Sequence, residues 1–205
     1  MKIFLESYKI TIVKSLDSVV EFHGHICPGL AMGYRVSVFA LRELGERAAD
    51  EELVAVVEND SCAVDAVQAV TGCTFGKGNL IFRDYGKHVY TFVRRPGGDA
   101  LRVSVNWTAP EETGEEKAAW RKYMAGDRSR EVLRAVHDRK ARKTDAILNA
   151  PDEELFEVRR LKVDLPPEAR IHPSVTCSIC GEQVMETRAR VRDGKPVCMP
   201  CAEGG

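Results

Sequence analysis

Two groups of side chains that could bind metal stand at opposite ends of the chain. The first lies in His23-Gly-His25-Ile-Cys27, where two imidazoles and a thiol occur within five residues. In an extended loop alternate residues point to the same side, so these three side chains can face one point. Cys62 is a fourth candidate ligand. Imidazole and thiolate suit Zn²⁺ or another transition metal, and three protein ligands leave a position for water or substrate.

The second group is a set of paired cysteines. It consists of Cys177-x-x-Cys180, a spacer of seventeen residues, and Cys198-x-x-Cys201. Pairs at this spacing are typical of a tetrahedral Zn²⁺ site. Four thiolates leave no open position, so we expect a structural Zn²⁺ that orders a small four-cysteine zinc-finger domain.

Four residues in the first half of the chain are candidates for catalysis. Cys27 and Cys62 each lie at the start of a predicted helix, where amides and the helix dipole favour the reactive thiolate. Asp65, one turn after Cys62, is predicted to orient an imidazole or to carry a proton, or else to support the helix N-terminus. Lys77 stands between two glycines and is predicted to contact an anionic substrate. The alternative is that both thiols are small buried hydrophobes and the histidines are hydrogen-bonded loop residues.

Apolar periodicity predicts an α+β frame for these groups. In chain order it gives a helix over 5–22, a helix from Pro28 to Gly45, a strand over Leu53–Val57, a helix with Cys62 in its first turn, strands over His88–Arg95 and Leu101–Trp107, helices over about 111–125 and 127–149, and a strand over Leu155–Val163. This order mixes helix and sheet without regular βαβ repetition.

Length and proline content predict a core with a small appendage. The 205 residues exceed the ~100 to 150 typical of one domain and fall short of two. Residues 164–173 contain three prolines and are typical of a stiff linker. We therefore predict a core domain over 1–163 and a treble-clef-like four-cysteine zinc finger over 174–205.

The overall charge gives no reason to expect binding to nucleic acid or to an anionic membrane. Lys and Arg number 30 against 31 Asp and Glu, a formal net charge of −1. A local exception is the predicted helix over 127–149, whose basic residues would be the footprint of a nucleic-acid-binding protein: Arg134, Arg139, Arg142 and Lys143.

Cysteine usage and the N-terminal segment predict a cytoplasmic protein. Seven cysteines, four of them in metal-type pairs, argue against a disulfide framework. Charges at Lys2, Glu6 and Lys9 interrupt the N-terminal apolar residues, so we expect no secretory signal. No uncharged stretch approaches the ~20 residues of a membrane span.

Three motifs together resemble a known family. They are His23-Gly-His25-Ile-Cys27-Pro-Gly-Leu-Ala-Met-Gly33-Tyr-Arg35, Glu58-Asn-Asp-Ser-Cys62-Ala-Val-Asp65-Ala and Thr71-Gly-Cys73-Thr-Phe-Gly76-Lys77-Gly78-Asn79-Leu. Over about residues 15–160 the chain resembles the FmdE family of formylmethanofuran dehydrogenase subunits. The four-cysteine module resembles the treble-clef finger appended in some members.

The resemblance implies an α+β core that forms a homodimer, with a metal or active site near the His-x-His-x-Cys loop. The matched positions that it suggests as metal ligands are His23, His25, Cys27 and Cys62. It also implies a link to one-carbon metabolism and methanogenesis. The parent oxidoreductase complex reduces CO2 onto methanofuran with a tungsten or molybdenum pterin, and its pterin and iron–sulfur subunits are other chains.

Three functions remain open at this point. The first is a metal-binding accessory or subunit protein of such a complex. The second is a stand-alone zinc-dependent hydrolase or formyl-transfer enzyme, in which Asp65 or Lys77 assists a metal. The third is a zinc-finger regulatory or nucleic-acid-binding protein. The sequence favours them in that order.

Overall fold

The computed structural model describes residues 13–45, 48–50 and 52–204. The chain divides into two compact units, Met1–Glu168 and Ala169–Gly205. This division lies within the segment predicted as a linker, 164–173. No helix in the described ranges has the length and apolar character needed to cross a membrane.

A five-stranded sheet forms the first unit's scaffold. Its strands are β1 (Leu53–Val57), β2 (Leu80–Phe82), β3 (Val89–Arg94), β4 (Asp99–Val105) and β5 (Phe156–Lys162). Their order in the sheet is β2-β1-β3-β4-β5. The β1–β2 pair is parallel and the other neighbours are antiparallel, with Ala55 opposite Phe92 and Phe92 opposite Leu101. The predicted α+β class is confirmed, with β2 as an additional strand.

Six helices accompany this sheet among the described residues of the first unit. They are α1 (Leu16–His23), α2 (Pro28–Leu44), α3 (Ala63–Thr71), α4 (Gly114–Met124), α5 (Arg130–Asn149) and the short α6 (Asp152–Leu155). The first predicted helix, 5–22, falls outside the described residues up to position 12. Its described part starts later than predicted because the Ser15 hydroxyl caps it, accepting a hydrogen bond from the Ser18 N–H at 3.3 Å.

The main core lies between the helices and one face of the sheet. Alternate residues of the central strands, such as Ala55, Phe92 and Leu101, are buried there against α2 residues such as Leu30 and Val36. The opposite face buries a smaller cluster formed by Val54, Val93 and Ala100. The helices that carry the candidate ligands therefore rest on a rigid sheet.

Gly33 allows α2 and α3 to touch through their backbones. An ideal Cβ at this position would lie 2.2 Å from the Ala63 carbonyl oxygen and 2.6 Å from its Cα. No real Cβ is found at such distances, so the position requires glycine. The close packing brings the start of α3 to the start of α2.

Arg35 fixes α5 against α2. Its guanidinium donates hydrogen bonds to the carbonyls of Ile147 at 2.7 Å, Leu148 at 2.9 Å and Ala150 at 2.7 Å, and to Asp152 Oδ1 at 2.7 Å. The last carbonyls of a helix have no partner within it and carry the negative end of its dipole. A cation there holds the helix end in place.

Three basic residues of α5 pair with glutamates of α4 and of the residues just before it. Arg139 and Lys143 approach Glu112 to 2.5 Å and 2.6 Å, and Arg142 approaches Glu116 to 2.6 Å. The hydrogen bonds from Arg139 and then Lys143 lower the pKa of Glu112 to about 2. Arg134 lies 4.0 Å from Asp138 on its own helix, so all four cations suggested as a nucleic-acid footprint make ion pairs within the chain.

The second unit contains two short β-hairpins followed by a helix. The elements are β6 (Ser174–Thr176), β7 (Gln183–Met185), β8 (Arg190–Arg192), β9 (Lys195–Val197) and α7 (Met199–Glu203). Its small core consists of Cys177, Val197 and Cys198, with Val184 and Ala202 packed against them. A core of this size is far smaller than an independently stable domain ordinarily has, so a bound metal is expected to contribute most of the order.

Candidate metal centre

The His-x-His-x-Cys segment links α1 to α2 and is anchored at both ends. Gly24 ends α1 in the left-handed conformation, with φ of 94° and its N–H donating to the Val20 carbonyl at 2.7 Å. Cys27 is the N-cap of α2, and its Sγ accepts a hydrogen bond from the Leu30 N–H at 3.4 Å. Pro28 begins the helix, as predicted from its fixed φ.

This anchored loop brings two imidazoles and a thiol together. One ligand atom from each of His23, His25 and Cys27 lies within 4.8 Å of the others. The two imidazole rings are 4.6 Å apart between centroids. Nitrogen and sulfur atoms around one tetrahedral Zn²⁺ lie about 3.4 to 3.8 Å apart, as bonds of ~2.0 to 2.3 Å require. Small side-chain rotations are therefore sufficient to close the three residues on one ion.

The environment of His23 suits a metal ligand. Its Nδ1 lies 2.7 Å from Asp65 Oδ2, and its side chain is only 10% exposed. Its Nε2 is buried and has no hydrogen-bond partner among the described residues. An unsatisfied buried nitrogen costs about 1 to 3 kcal/mol. A carboxylate behind one imidazole nitrogen, with the other nitrogen directed at an ion, is the usual arrangement for histidine at metal sites.

Cys62, at the start of α3, lies beside Cys27 but outside the set of three residues whose ligand atoms are within 4.8 Å of one another. It is the N-cap of that helix, so it lies just before the first turn and not within it as predicted. Its side chain makes no capping hydrogen bond. The preceding turn is fixed by Asn59, whose Oδ1 accepts from Ser61 N–H at 3.2 Å and Ser61 Oγ–H at 2.7 Å. An ideal Cβ on Gly29 would lie 3.3 Å from Cys62 Cβ and 3.9 Å from Cys27 Sγ. Gly29 thus leaves room for the two thiols.

The expectation that the helix N-terminus favours a thiolate at Cys62 is wrong. Burial, then the neighbouring Cys27 sulfur, raises the pKa of Cys62 above its ordinary value. The backbone N–H of Cys62 itself lowers this pKa, but by less than burial and Cys27 raise it. A metal ion that binds Cys62 would have to displace the proton of this thiol.

The remaining candidates separate in space. Asp65 contacts His23, as expected if its role is to orient an imidazole. Lys77 instead donates its ammonium hydrogens to the carbonyls of Ala49 at 3.3 Å and Asp50 at 3.4 Å. The structure therefore does not bring Lys77 into the cluster. Cys73 is buried, and its Sγ lies 3.2 Å from the Leu53 carbonyl oxygen.

Two cavities border the cluster on different sides. We call the first the α5 cavity; it has a volume of about 490 Å³, and its lining includes His25, Cys27, Tyr123, His137, Lys140 and Thr144. We call the second the α3 cavity; it has a volume of about 390 Å³, and its lining includes His23, Asp60, Ser61, Cys62, Asp65 and Phe82. Sequence reasoning missed the α5 wall, although polar residues at helical spacing on α5 were a signal for it.

The finger's four cysteines are also close together. Their sulfurs lie within 4.8 Å of one another, with Cys180 and Cys198 at 3.9 Å. Backbone N–H groups, first that of Cys180 and then that of Cys198, lower the pKa of Cys177 to about 6. The Cys198 thiol raises the pKa of Cys201 to about 12. A lowered pKa at Cys177 beside a raised pKa at Cys201 is consistent with a zinc site in which the ion displaces thiol protons.

Family models match both units of the chain. A model described as FmdE, from the molybdenum formylmethanofuran dehydrogenase operon, matches residues 22–157. A model described as the prokaryotic dksA/traR C4-type zinc finger matches residues 172–204. The two matches include the His-x-His-x-Cys loop and all four paired cysteines.

Two individual proteins are similar to this chain. An FmdE-like protein of the tungsten formylmethanofuran dehydrogenase type, from Syntrophus aciditrophicus, shares the fold, with a TM-score of 0.61, 22% identity, and coverage of 93% of this chain and 91% of that one. A probable S-adenosyl-L-methionine-binding protein of Archaeoglobus fulgidus is 36% identical over 200 residues. That match covers 89% of this chain but only 50% of the relative.

Proposed function

Because the chain belongs to the FmdE family, we propose that it binds a divalent transition-metal ion in its core and serves as an accessory or subunit protein of a formylmethanofuran dehydrogenase. The proposed core ion is Zn²⁺ or a similar metal. The single observation that carries the metal site is His23 Nε2, a buried nitrogen without a partner among the described residues. Such an atom is best explained by an ion that the residue binds.

The proposed ligands are His23, His25 and Cys27, with Cys62 as the fourth. Asp65 is a positioning residue, because its carboxylate accepts the Nδ1 proton of His23 and thereby leaves Nε2 as the lone-pair donor. A bound ion would supply Lewis acidity toward a carbonyl or a water molecule. The finger ion, held by four thiolates, is proposed to be structural.

A stand-alone zinc-dependent hydrolase or formyl-transfer enzyme is the second candidate. It is favoured by the α5 cavity, which places space for a small molecule beside His25 and Cys27. A volume of about 490 Å³ lies in the ~300 to 1,000 Å³ range of ligand pockets. The nucleic-acid function is the least supported, since Arg139, Arg142 and Lys143 already pair with glutamates.

Proposed partners follow from the family. We propose a homodimer, with other formylmethanofuran dehydrogenase subunits as partners in the cell. We leave S-adenosyl-L-methionine out of the proposed ligands, because the chain spans only half the length of the Archaeoglobus fulgidus protein named for it.

Metal stoichiometry tests the core site. Protein prepared without chelators or nickel columns is expected to carry about two metal ions per chain by elemental mass spectrometry. The Cys27→Ser, Cys62→Ser double variant should carry one, because the finger retains its ion. Cys73→Ser is the matched control, since it alters a buried thiol outside the cluster, and should keep two. One ion in all three proteins would contradict the core site.

Isolation from native cells tests the subunit role separately. A tagged chain is expected to co-purify with a protein that carries pterin-bound molybdenum or tungsten. Recovery of the metal-loaded chain without any such partner would favour the stand-alone enzyme.

A further inference from the structure

Thr144 differs from the other buried hydroxyl groups on helices of the core. The hydroxyls of Ser37 and Thr71 donate to the carbonyls of Gly33 and Val67, four residues earlier, at 2.7 Å and 2.6 Å. Thr144 is only 5% exposed, yet its hydroxyl has no hydrogen-bond partner in the described part of the chain. It lines the α5 cavity. A hydroxyl on a residue that lines a cavity, with no hydrogen bond to the described residues, is suited to a hydrogen bond with a bound molecule.

Lys140 likewise lacks the kind of partner that its basic neighbours have. Arg139, Arg142 and Lys143 all pair with glutamates. Lys140 has no carboxylate within ion-pair distance among the described residues. Its Nζ lies 6.0 Å from the centre of the Tyr123 ring. It lies one helical turn before Thr144 and lines the same cavity. An ammonium without a carboxylate partner and a hydroxyl without a hydrogen-bond partner, both among the described residues, therefore stand one helical turn apart.

The rest of the cavity restricts what these two donors can bind. Ile26, Leu133, Val136 and Leu148 provide an apolar wall, so the body of the ligand should be apolar. Asp145 lies at the same cavity and repels anionic ligands, so the one ammonium of Lys140 can offset a single negative charge and a dianion is disfavoured. His137 also lines it, but its Nδ1 lies 3.5 Å from the Asp138 carboxylate. The α3 cavity, in contrast, has no lysine or arginine in its described lining.

We propose that the α5 cavity binds an apolar monocarboxylate, with Lys140 and Thr144 donating hydrogen bonds to its oxygens. His25 and Cys27 form the adjacent wall, so the bound molecule stands next to the proposed metal ion. That this molecule belongs to the substrate class for chemistry at that ion rests on the proposed function. Carboxylate recognition itself depends only on the two donors and the apolar wall.

Titration calorimetry with benzoate tests this site, using benzamide as the uncharged isostere and acetate as the carboxylate without an apolar body. Benzoate is expected to bind most tightly. Lys140→Met should weaken its binding by at least about tenfold, the factor that corresponds to one charged hydrogen bond. Lys140→Arg should restore most of the affinity. Lys122→Met, an exposed lysine outside the cavity lining, should leave it unchanged.

Thr144→Val separates ligand recognition from a structural role. The substitution keeps the side-chain shape and removes a hydroxyl that has no partner among the described residues, so the melting temperature should stay equal or rise while benzoate affinity falls by about tenfold. A fall in melting temperature with unchanged benzoate affinity would assign Thr144 to packing and overturn the inference. So would benzoate binding that is insensitive to Lys140→Met, or no preference for benzoate over benzamide.

Metal analysis of the same samples keeps the two proposals apart. If benzoate binding requires Lys140 and Thr144, the proposed carboxylate site is supported whether the chain carries one metal ion or two. A count of one ion per chain would contradict the core metal, and with it the role of the carboxylate as that ion's substrate, without affecting the measured recognition.

Discussion

At the scale of single residues, the orientation of His23 determines what the cluster can bind. The Asp65 carboxylate fixes Nδ1 and leaves Nε2 buried without a protein partner among the described residues. Nε2 is therefore the ring nitrogen that is available to a metal ion.

Asp65→Asn tests the positioning role. An amide cannot accept the Nδ1 proton as strongly as a carboxylate, and removal of such a partner typically costs ~10 to 100-fold in metal affinity. We expect that loss for the core ion in competition with a chromophoric chelator, together with an altered visible spectrum of the cobalt-substituted protein. Asp60→Asn changes another carboxylate of the α3 cavity and should do neither. Equal losses in both variants would mean that general charge, not positioning, is responsible.

The local cluster could be predicted from the sequence because its three members lie within five residues of one loop. The raised pKa of Cys62 and the position of Lys77 outside the cluster could not be predicted. The pKa of Cys62 depends on burial and on Cys27, which is 35 residues earlier in the chain. The position of Lys77 depends on carbonyls at Ala49 and Asp50, which the glycine-rich motif does not reveal.

At the scale of elements, the α4–α5 pair forms one wall of the α5 cavity. Its ion pairs join side chains 26 to 31 residues apart in sequence. α4 begins with a capping box in which the Thr113 hydroxyl accepts from the Glu116 N–H at 3.1 Å and Glu116 Oε2 accepts from the Thr113 N–H at 2.8 Å. Glu116 therefore caps the N-terminus of α4 and also forms an ion pair with Arg142.

Glu112→Gln should weaken the α4–α5 pair in a pH-dependent manner. A carboxyl whose folded pKa of about 2 is below its unfolded value of ~4.3 stabilises the fold at higher pH and loses that contribution as the pH falls. The variant should therefore melt below the wild type at about pH 6, and the difference should shrink between about pH 4.5 and 2. Glu115→Gln is the matched control on α4. A difference that does not change over this range would rule out the ion pairs as its source.

The strands and long helices were predictable because their apolar periods are long. β2 was missed because three residues, Leu80–Phe82, are too few to show a period. Its place in the sheet comes from Asn79, whose Nδ2 donates to the carbonyls of Asp50 at 2.8 Å and Leu53 at 3.0 Å. Such contacts between distant segments leave no trace in a local pattern.

At the scale of the whole molecule, the two units have different sources of stability. The first buries a continuous apolar cluster between its helices and sheet. The second has three buried core residues in its described part, and two of them are cysteines of the proposed zinc site. Structural zinc binds small fingers with apparent free energies of about 10 to 16 kcal/mol, so the ion supplies what the core lacks.

Cys177→Ser should therefore unfold residues 174–201 and leave the first unit folded. Hydrogen exchange is expected to show loss of protection in that range alone, and calorimetry should retain the main transition. Ser178→Ala changes the neighbouring residue and should preserve both. Loss of the main transition in the cysteine variant would show that the units do not fold independently.

Gly33 connects the packing of α2 against α3 with the candidate metal site. An ordinary contact needs at least 3.4 Å, against the 2.2 Å that a Cβ there would have from the Ala63 carbonyl oxygen. Any larger residue would push the two helices apart by about an ångström or more. Because Cys27 begins one helix and Cys62 the other, that shift would pass directly to the gap between their sulfurs. If the core site holds an ion as proposed, Gly33 is the position, itself not a ligand, from which the spacing of the two sulfurs and hence the radius of the accepted cation could be redesigned.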